Sequence, residues 1–292
     1  MIKDIVANLS LRDSPDVAVH FAVSVAAAFN AHVAGIAFIY EPIIPVMIDM
    51  YGIPPDVIES QRVENERAAR AAVARLDEAS RSAGIAAEAH MLDAAVATAP
   101  GVFARLARRF DLSILGQPEP EQPALDRLIV EAALFDSGRP MLVVPYIQRN
   151  GLKLDRILLC WDGSRSAARA AADALPFLRR AKLVEVVTVA SEPAKSDEMP
   201  GADIAQHLAR HGIKVELKRI VTAETDVAST ILSHAADSSA DFLVMGGYGH
   251  SRLREFILGG VTREIPRFHD GSGPDVALNM PSRPSFALRT FP

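Results

Sequence analysis

The sequence predicts an α/β chain of two Rossmann-like domains in tandem, each with a parallel five-stranded sheet flanked by helices. Three observations carry that reading. Apolar runs of four to eight residues alternate with longer amphipathic stretches, the layout of βαβ units. The order of these elements restarts about midway along the chain. Near the end, a buried-strand run, Asp241-Phe242-Leu243-Val244-Met245, leads directly into glycines.

The elements follow in order. In the first half, Ile2 to Leu9 reads as a strand, Pro15 to Phe29 as a helix and His32 to Tyr40 as a second strand. A long helix is expected from about Asp56 to Ala83, where Arg62, Glu64, Glu66, Arg67 and Arg70 suit a solvated face held by i,i+4 pairs. Ala86 to Leu92 is a strand, Ala99 to Arg109 a helix, Leu112 to Gly116 a strand, and Met141 to Pro145 closes the set. The second half repeats the plan, with strands at Asp155 to Trp161, Leu183 to Val189, Val215 to Ile220 and Asp241 to Met245. Its helices are expected at Ser164 to Arg179, with Ser164 as cap, at Met199 to His211 and at Asp226 to Asp237. The polar stretch Gln148 to Leu152 separates the halves, giving domains at 1–148 and 152–292. A duplication of about 145 residues explains the pattern.

Composition narrows the function. Of 292 residues, 49% are hydrophobic and 23% charged, enough apolar material for a core in each half. A net charge of −5 argues against non-specific nucleic-acid binding, which needs a basic face. The single cysteine, Cys160, rules out an internal disulfide and any cysteine-rich metal site and suits a reducing compartment. No run approaches the ~20 apolar residues of a membrane-spanning helix. Nor does Met1-Ile2-Lys3-Asp4 open a signal peptide. The expectation is a soluble, cytoplasmic protein.

The chemistry concentrates at Gly246-Gly247-Tyr248-Gly249, followed by Gly259-Gly260-Val261-Thr262. A strand ending in glycines before a helix brings backbone N–H groups close to an anion, phosphate above all. A bare structural turn would use the same residues; the second cluster tips the balance toward phosphate. In a doubly wound sheet Asp162, trailing the first strand of this half, converges on that loop.

Together, Asp162-Gly163-Ser164 after the opening strand, the run Asp241 to Met245 and the spacing Gly246-x2-Gly249-x9-Gly259 resemble the universal stress protein family in its tandem form. The resemblance spans about residues 1 to 265. It implies a fold like that of the adenine nucleotide alpha hydrolases and an adenine nucleotide, usually ATP, in the second half, with Mg²⁺ on its phosphates. Carried over by position, Asp162 lies near the adenine and ribose and Val189 lines the base pocket. Gly246, Gly249, Gly259, Gly260, Val261 and Thr262 are expected around the ribose and phosphates, and Met245 among the residues that contact the nucleotide. One departure is Gly260, which stands where the family pattern has Ser or Thr.

The first half departs further. Its counterpart loop, Gly116-Gln117-Pro118-Glu119-Pro120-Glu121-Gln122-Pro123, has one glycine, three prolines and two acids, and Ser10 stands in place of Asp162. Proline removes donors and the glutamates oppose polyphosphate, so this half is expected to bind no ATP in this way. The tail is also unusual. After Ile265 no closing strand is legible, Val276-Ala277-Leu278 being a poor substitute, so the second sheet is expected to lack its edge strand or borrow one.

Other candidates weigh less. His250, Arg252 and Arg254 suit a solvated loop and helix as well as phosphate contact. Trp161 fits an adenine stack and a core position equally. The apolar loop Pro42 to Tyr51 fits either a ligand or partner cover or packing on its own domain. His207, His211 and His234 lack a third ligand at metal spacing.

The function expected is ATP-dependent regulation with slow hydrolysis at most. An interaction module with a vestigial site is the alternative, and a nucleotidyl transferase ranks last. Partners are an adenine nucleotide and a protein the sequence does not identify, not nucleic acid or membrane. Pairing of domains within one chain or between two is left open.

Overall fold

Each half of the chain is organised by parallel strand pairing, and the computed structural model describes residues 1–12, 16–41, 54–118, 124–190, 200–222, 227–246 and 285–289. Two compact units emerge. The first contains β1 (Asp4–Asn8), α1 (Val17–Phe29), β2 (His32–Tyr40), α2 (Pro55–Ala83), β3 (Ala87–Ala94), α3 (Ala99–Ala107), β4 (Leu112–Gly116), α4 (Ala124–Asp136) and β5 (Met141–Val144). Its strands lie in the order β3-β2-β1-β4-β5, all parallel. The second contains β6 (Arg156–Cys160), α5 (Arg165–Leu178), β7 (Leu183–Ala190), α6 (Ala202–Arg210), β8 (Val215–Val221), α7 (Val227–Asp237), β9 (Phe242–Gly246) and β10 (Ser285–Arg289). Their order, β10-β9-β6-β7-β8, repeats the first and is again parallel.

The central strands are apolar because helices cover both faces. Ile5, Val6 and Ala7 of β1, the middle strand of the first unit, have no exposed surface, nor do Met141 to Val144 of β5 at the end of its order. In the second unit Ile157, Leu158, Leu159, Phe242, Leu243 and Val244 are equally sealed, and Phe177 of α5 stacks on Phe242 with ring centres 5.1 Å apart. Helix α2 shows the opposite economy. It buries one stripe, Ala69, Ala72 and Leu76, while Arg70 pairs with Glu66 and Arg81 with Glu78 on its wet side.

The duplication extends to individual hydrogen bonds. Asp111, just before β4, accepts the amides of Lys3 and Asp4 at 2.8 and 3.1 Å and donates its own N–H to Asp4 O. Asp241, just before β9, accepts those of Asp155 and Arg156 at 2.9 and 3.0 Å and donates to Arg156 O. The same carboxylate clasp thus fixes the first strand of each sheet to its neighbour.

Two expectations are corrected. The second sheet has its fifth strand: β10 pairs in register with β9, from Ser285 opposite Phe242 to Arg289 opposite Gly246. Its Ser-Phe-Ala-Leu-Arg run is short, preceded by Arg283-Pro284 and itself ends in arginine, so its apolar signal is weak. Helix α4 is the other addition. The proline-rich loop before it obscures a start that Asp126 marks in the first turn.

Candidate functional site

At the carboxyl ends of β6, β7 and β9 the second unit assembles four of the expected residues. Leu159 of β6 pairs with Val244 of β9, so Met245 and Gly246 end β9 beside Cys160 and Trp161. Cys160 pairs with Val187 of β7, which carries Val189 two residues on to the same edge. Asp162 follows Trp161 as β6 gives way to α5. Met245 and Gly246 are buried, Val189 and Trp161 half-buried, and Asp162 exposed. Gly249, Gly259, Gly260, Val261 and Thr262 lie outside the described residues, as do His250, Arg252, Arg254 and the loop Pro42 to Tyr51.

The turn into α5 is built from three residues. Asp162 Oδ1 accepts the Ser164 amide at 2.9 Å, across Gly163 at φ 72°. Ser164 then caps α5, its Oγ accepting Ala167 N at 3.1 Å and lying 2.9 Å from Ser166 Oγ. Among the described residues, Asp162 Oδ2 and the amides of Arg165 and Ser166 have no hydrogen-bond partner. A carboxylate oxygen and two open helix-start donors therefore face this edge.

Gly246 has a reason the sequence did not reveal. A Cβ built there would lie 2.8 Å from the Ser166 carbonyl carbon, Cβ and Oγ. The glycine lets the end of β9 meet the first turn of α5, bringing that turn's donors to the strand end. Its counterpart Gly116 is under no such constraint, the nearest atom to its Cβ being Ala18 Cβ at 4.0 Å.

Cys160 is not a nucleophile. Burial, and secondarily the charge of Asp162, pushes its thiol up to about 12, so it stays protonated at neutral pH. No group of three His, Cys, Asp or Glu side chains suited to a metal occurs among the described residues.

A buried charge cluster escaped sequence reading. Glu185 of β7, 4% exposed, accepts Arg156 Nη1 at 2.7 Å through Oε2 and lies 2.6 Å from His234 Nε2 through Oε1. An acid third in the run Leu-Val-Glu-Val-Val was the available signal, since a carboxylate in a sealed strand requires partners. It pairs in register with Glu216 and lies toward the amino ends of the strands, so it fixes α7 to the sheet rather than lining the candidate edge.

In the first unit the equivalent edge is occupied by the chain itself. Leu9 N bonds Ile36 O as Trp161 N bonds Val187 O, which makes Ser10 the structural counterpart of Asp162. The connection to α1 is longer here, and Asp16, 5% exposed, closes it. One Asp16 oxygen accepts Ser10 N at 2.8 Å; the other accepts Ala18 N and Val19 N at 3.0 and 3.2 Å. Arg75 Nη2 holds Ser10 O at 2.6 Å, and Arg12 Nη2 reaches Asp126 of α4 at 2.7 Å.

Comparison with known proteins bears on the fold and on the second half of the sequence. Residues 153–267 match the universal stress protein family. The chain is 27% identical over 144 residues to a universal stress protein of Synechocystis sp., a match covering 47% of this chain and 47% of that relative, about half of each. In three dimensions it resembles a universal stress protein from Archaeoglobus fulgidus, with TM-score 0.65 at 13% identity over 98% of this chain and 96% of the other. A candidate universal stress protein of Pseudomonas aeruginosa gives TM-score 0.57 at 14% identity over 99% and 93%. The fold is thus that of the tandem α/β proteins. The likeness at the level of sequence lies in the second half, where residues 153–267 match the universal stress protein family. No helix of the described residues is long and apolar enough to cross a membrane.

Proposed function

We infer that this is a cytoplasmic, ATP-binding regulatory protein of stress responses, with one competent nucleotide site in the second of its two domains (1–148 and 152–292). The observation that carries the reading is the pairing, at one sheet edge, of an exposed carboxylate with open donors. Asp162 Oδ2 can accept a ribose hydroxyl, and the amides of Arg165 and Ser166 can meet an anion. In this reading the apolar side chains of Val189 and Met245 serve the base. Gly249, Gly259, Gly260, Val261 and Thr262 complete the ribose and phosphate contacts, with Mg²⁺ on the phosphates. The described residues supply binding and orientation: no activated nucleophile stands at the edge, since Cys160 holds its proton. Nucleotide would then act by stabilising one conformation or assembly, with a protein partner reading the outcome. Hydrolysis would be slow at most.

Gly260, which brings no hydroxyl where the family pattern has one, favours a second reading as an interaction module with a vestigial site. Titration of ATP with Mg²⁺ against wild type and Gly249→Val separates the two. Saturable binding to wild type, lost in the variant, is the expected result. Absence of binding to wild type overturns the proposal in favour of the second reading.

A further inference from the structure

The connection between the two halves is pinned at a point the sequence does not mark. Ser24 is the one hydroxyl on α1, and its Oγ accepts the Leu152 amide at 2.8 Å. Gly151 makes that approach possible. No left-handed backbone calls for a glycine there, but a Cβ would run into Ser24 Oγ and lie 2.9 Å from Ser24 Cβ. The arrangement belongs to the first half alone. Ser24 stands eight residues after the cap Asp16, and eight residues after the cap Ser164 of α5 stands an exposed alanine, Ala172.

A single residue separates this anchor from the next. Arg149 to Leu152 group with the first unit, and Lys153 opens a stretch that groups with the second. Leu154 O accepts Lys182 N at 3.0 Å, and Asp241 holds the Asp155 and Arg156 amides. With the Ser24 bond closed, only Lys153 lies between the anchors. With it open, the loose stretch runs from Arg149 to Lys153, behind Gln148, which is 8% exposed. At roughly 3.4 Å per extended residue, the reach grows from about 3 Å to about 17 Å. Little holds the bond shut. One hydrogen bond adds a modest net stability, and Leu152 is only half-buried. Ser24 also lines an open groove of about 700 Å³ between α1 and α2, beside His20, Ala27 and Ser82. Water from that groove can replace the amide.

We propose that Ser24, Gly151 and Leu152 form a latch on the connection between the units. Closed, it leaves a one-residue hinge at Lys153; open, it leaves a five-residue tether from Arg149 to Lys153. The latch is a conformational device, because a two-state element with a small free-energy gap answers to small biases. The inference does not depend on nucleotide binding by the second unit.

The test is limited trypsin digestion of the full chain. Arg149 and Lys153 are exposed and flank the latch, and a protease can take either site only when the strap leaves α1. At low protease the cutting rate follows the open population. Ser24→Ala should be cut at these sites about fivefold faster than wild type, the worth of one ordinary hydrogen bond. Gly151→Ala, which expels the strap while Ser24 stays in place, should be cut at least as fast. Cutting elsewhere and the urea midpoint should match wild type in both variants, which separates release of the latch from general loosening. Three results would each overturn the proposal. The first is wild type cut at Arg149 and Lys153 as fast as a free peptide of residues 145–157. The second is wild-type cutting there in both variants. The third is faster cutting that rises in step at sites throughout the chain.

Discussion

At the scale of single residues, Gly116 and Gly246 occupy the same place at the end of equivalent strands and answer to different forces. The sequence makes them look alike, each glycine closing an apolar run. Only packing separates them: a Cβ at Gly246 meets Ser166 backbone at 2.8 Å, whereas one at Gly116 finds only Ala18 at 4.0 Å. Overfilling a contact against backbone costs about 1–3 kcal/mol. Gly246→Ala should therefore lower stability by that amount, read as a shift in the urea midpoint. Gly116→Ala should be neutral or stabilising by up to about 1 kcal/mol, because a strand glycine carries excess unfolded-state entropy. Equal losses in both variants would refute the packing account. The same contact gives Gly246 a reason independent of any phosphate: the glycine brings a helix start to the strand end.

At the scale of elements, the connection from first strand to first helix decides what each unit can offer. Ser164 caps α5 through a single amide and leaves two without a partner among the described residues, while Asp16 uses its whole carboxylate on α1 and Ser10. Burial, the largest influence, pushes the Asp16 carboxyl above its ordinary range against the lowering pull of Ser10, Val19, Arg75 and Ala18. A raised carboxyl means the folded chain holds the proton more tightly than the unfolded chain. Its contribution to stability is then full below the unfolded-state pKa and is lost as pH rises through the folded one. Urea denaturation of wild type and Asp16→Asn between about pH 3 and about pH 7 should show wild type losing ground to the variant as pH rises. A gain with pH would show that the hydrogen bonds outweigh burial. Most elements were legible because apolar period and caps act locally: the bounds of β2 and β4 match the sequence reading residue for residue. Strand β10 and helix α4 were not, since a short strand that follows Arg283-Pro284 and ends in arginine and a helix behind a proline-rich loop carry little local signal. The carboxyl edge was legible through Asp162 and the end of β9, whereas the bonds of Asp16, Arg75, Arg12 and Asp126 depend on residues brought together only by folding.

At the scale of the whole molecule, two units of one topology present unlike edges, and a single measurement can resolve them. A ligand that binds only the folded form stabilises by RT ln(1 + [L]/Kd), about 2.7 kcal/mol at a hundredfold excess over Kd. If the site lies in the second unit, that stabilisation should appear first where ligand and protein meet. Amide exchange with saturating ATP and Mg²⁺ should slow in peptides spanning residues 156–170 and 242–246, where β6, the Asp162 turn, the start of α5 and the end of β9 converge. Peptides spanning residues 4–20 contain the counterpart of that turn, but their donors are already bonded to Asp16 and Asp126. Their exchange should remain at the rate seen without nucleotide. Because both peptide sets come from the same molecules in the same solution, non-specific effects of ionic strength or Mg²⁺ would slow both alike. Equal protection of the two sets would mark a non-specific effect and no site, and protection of residues 4–20 alone would place the nucleotide in the first unit; either result would overturn the reading.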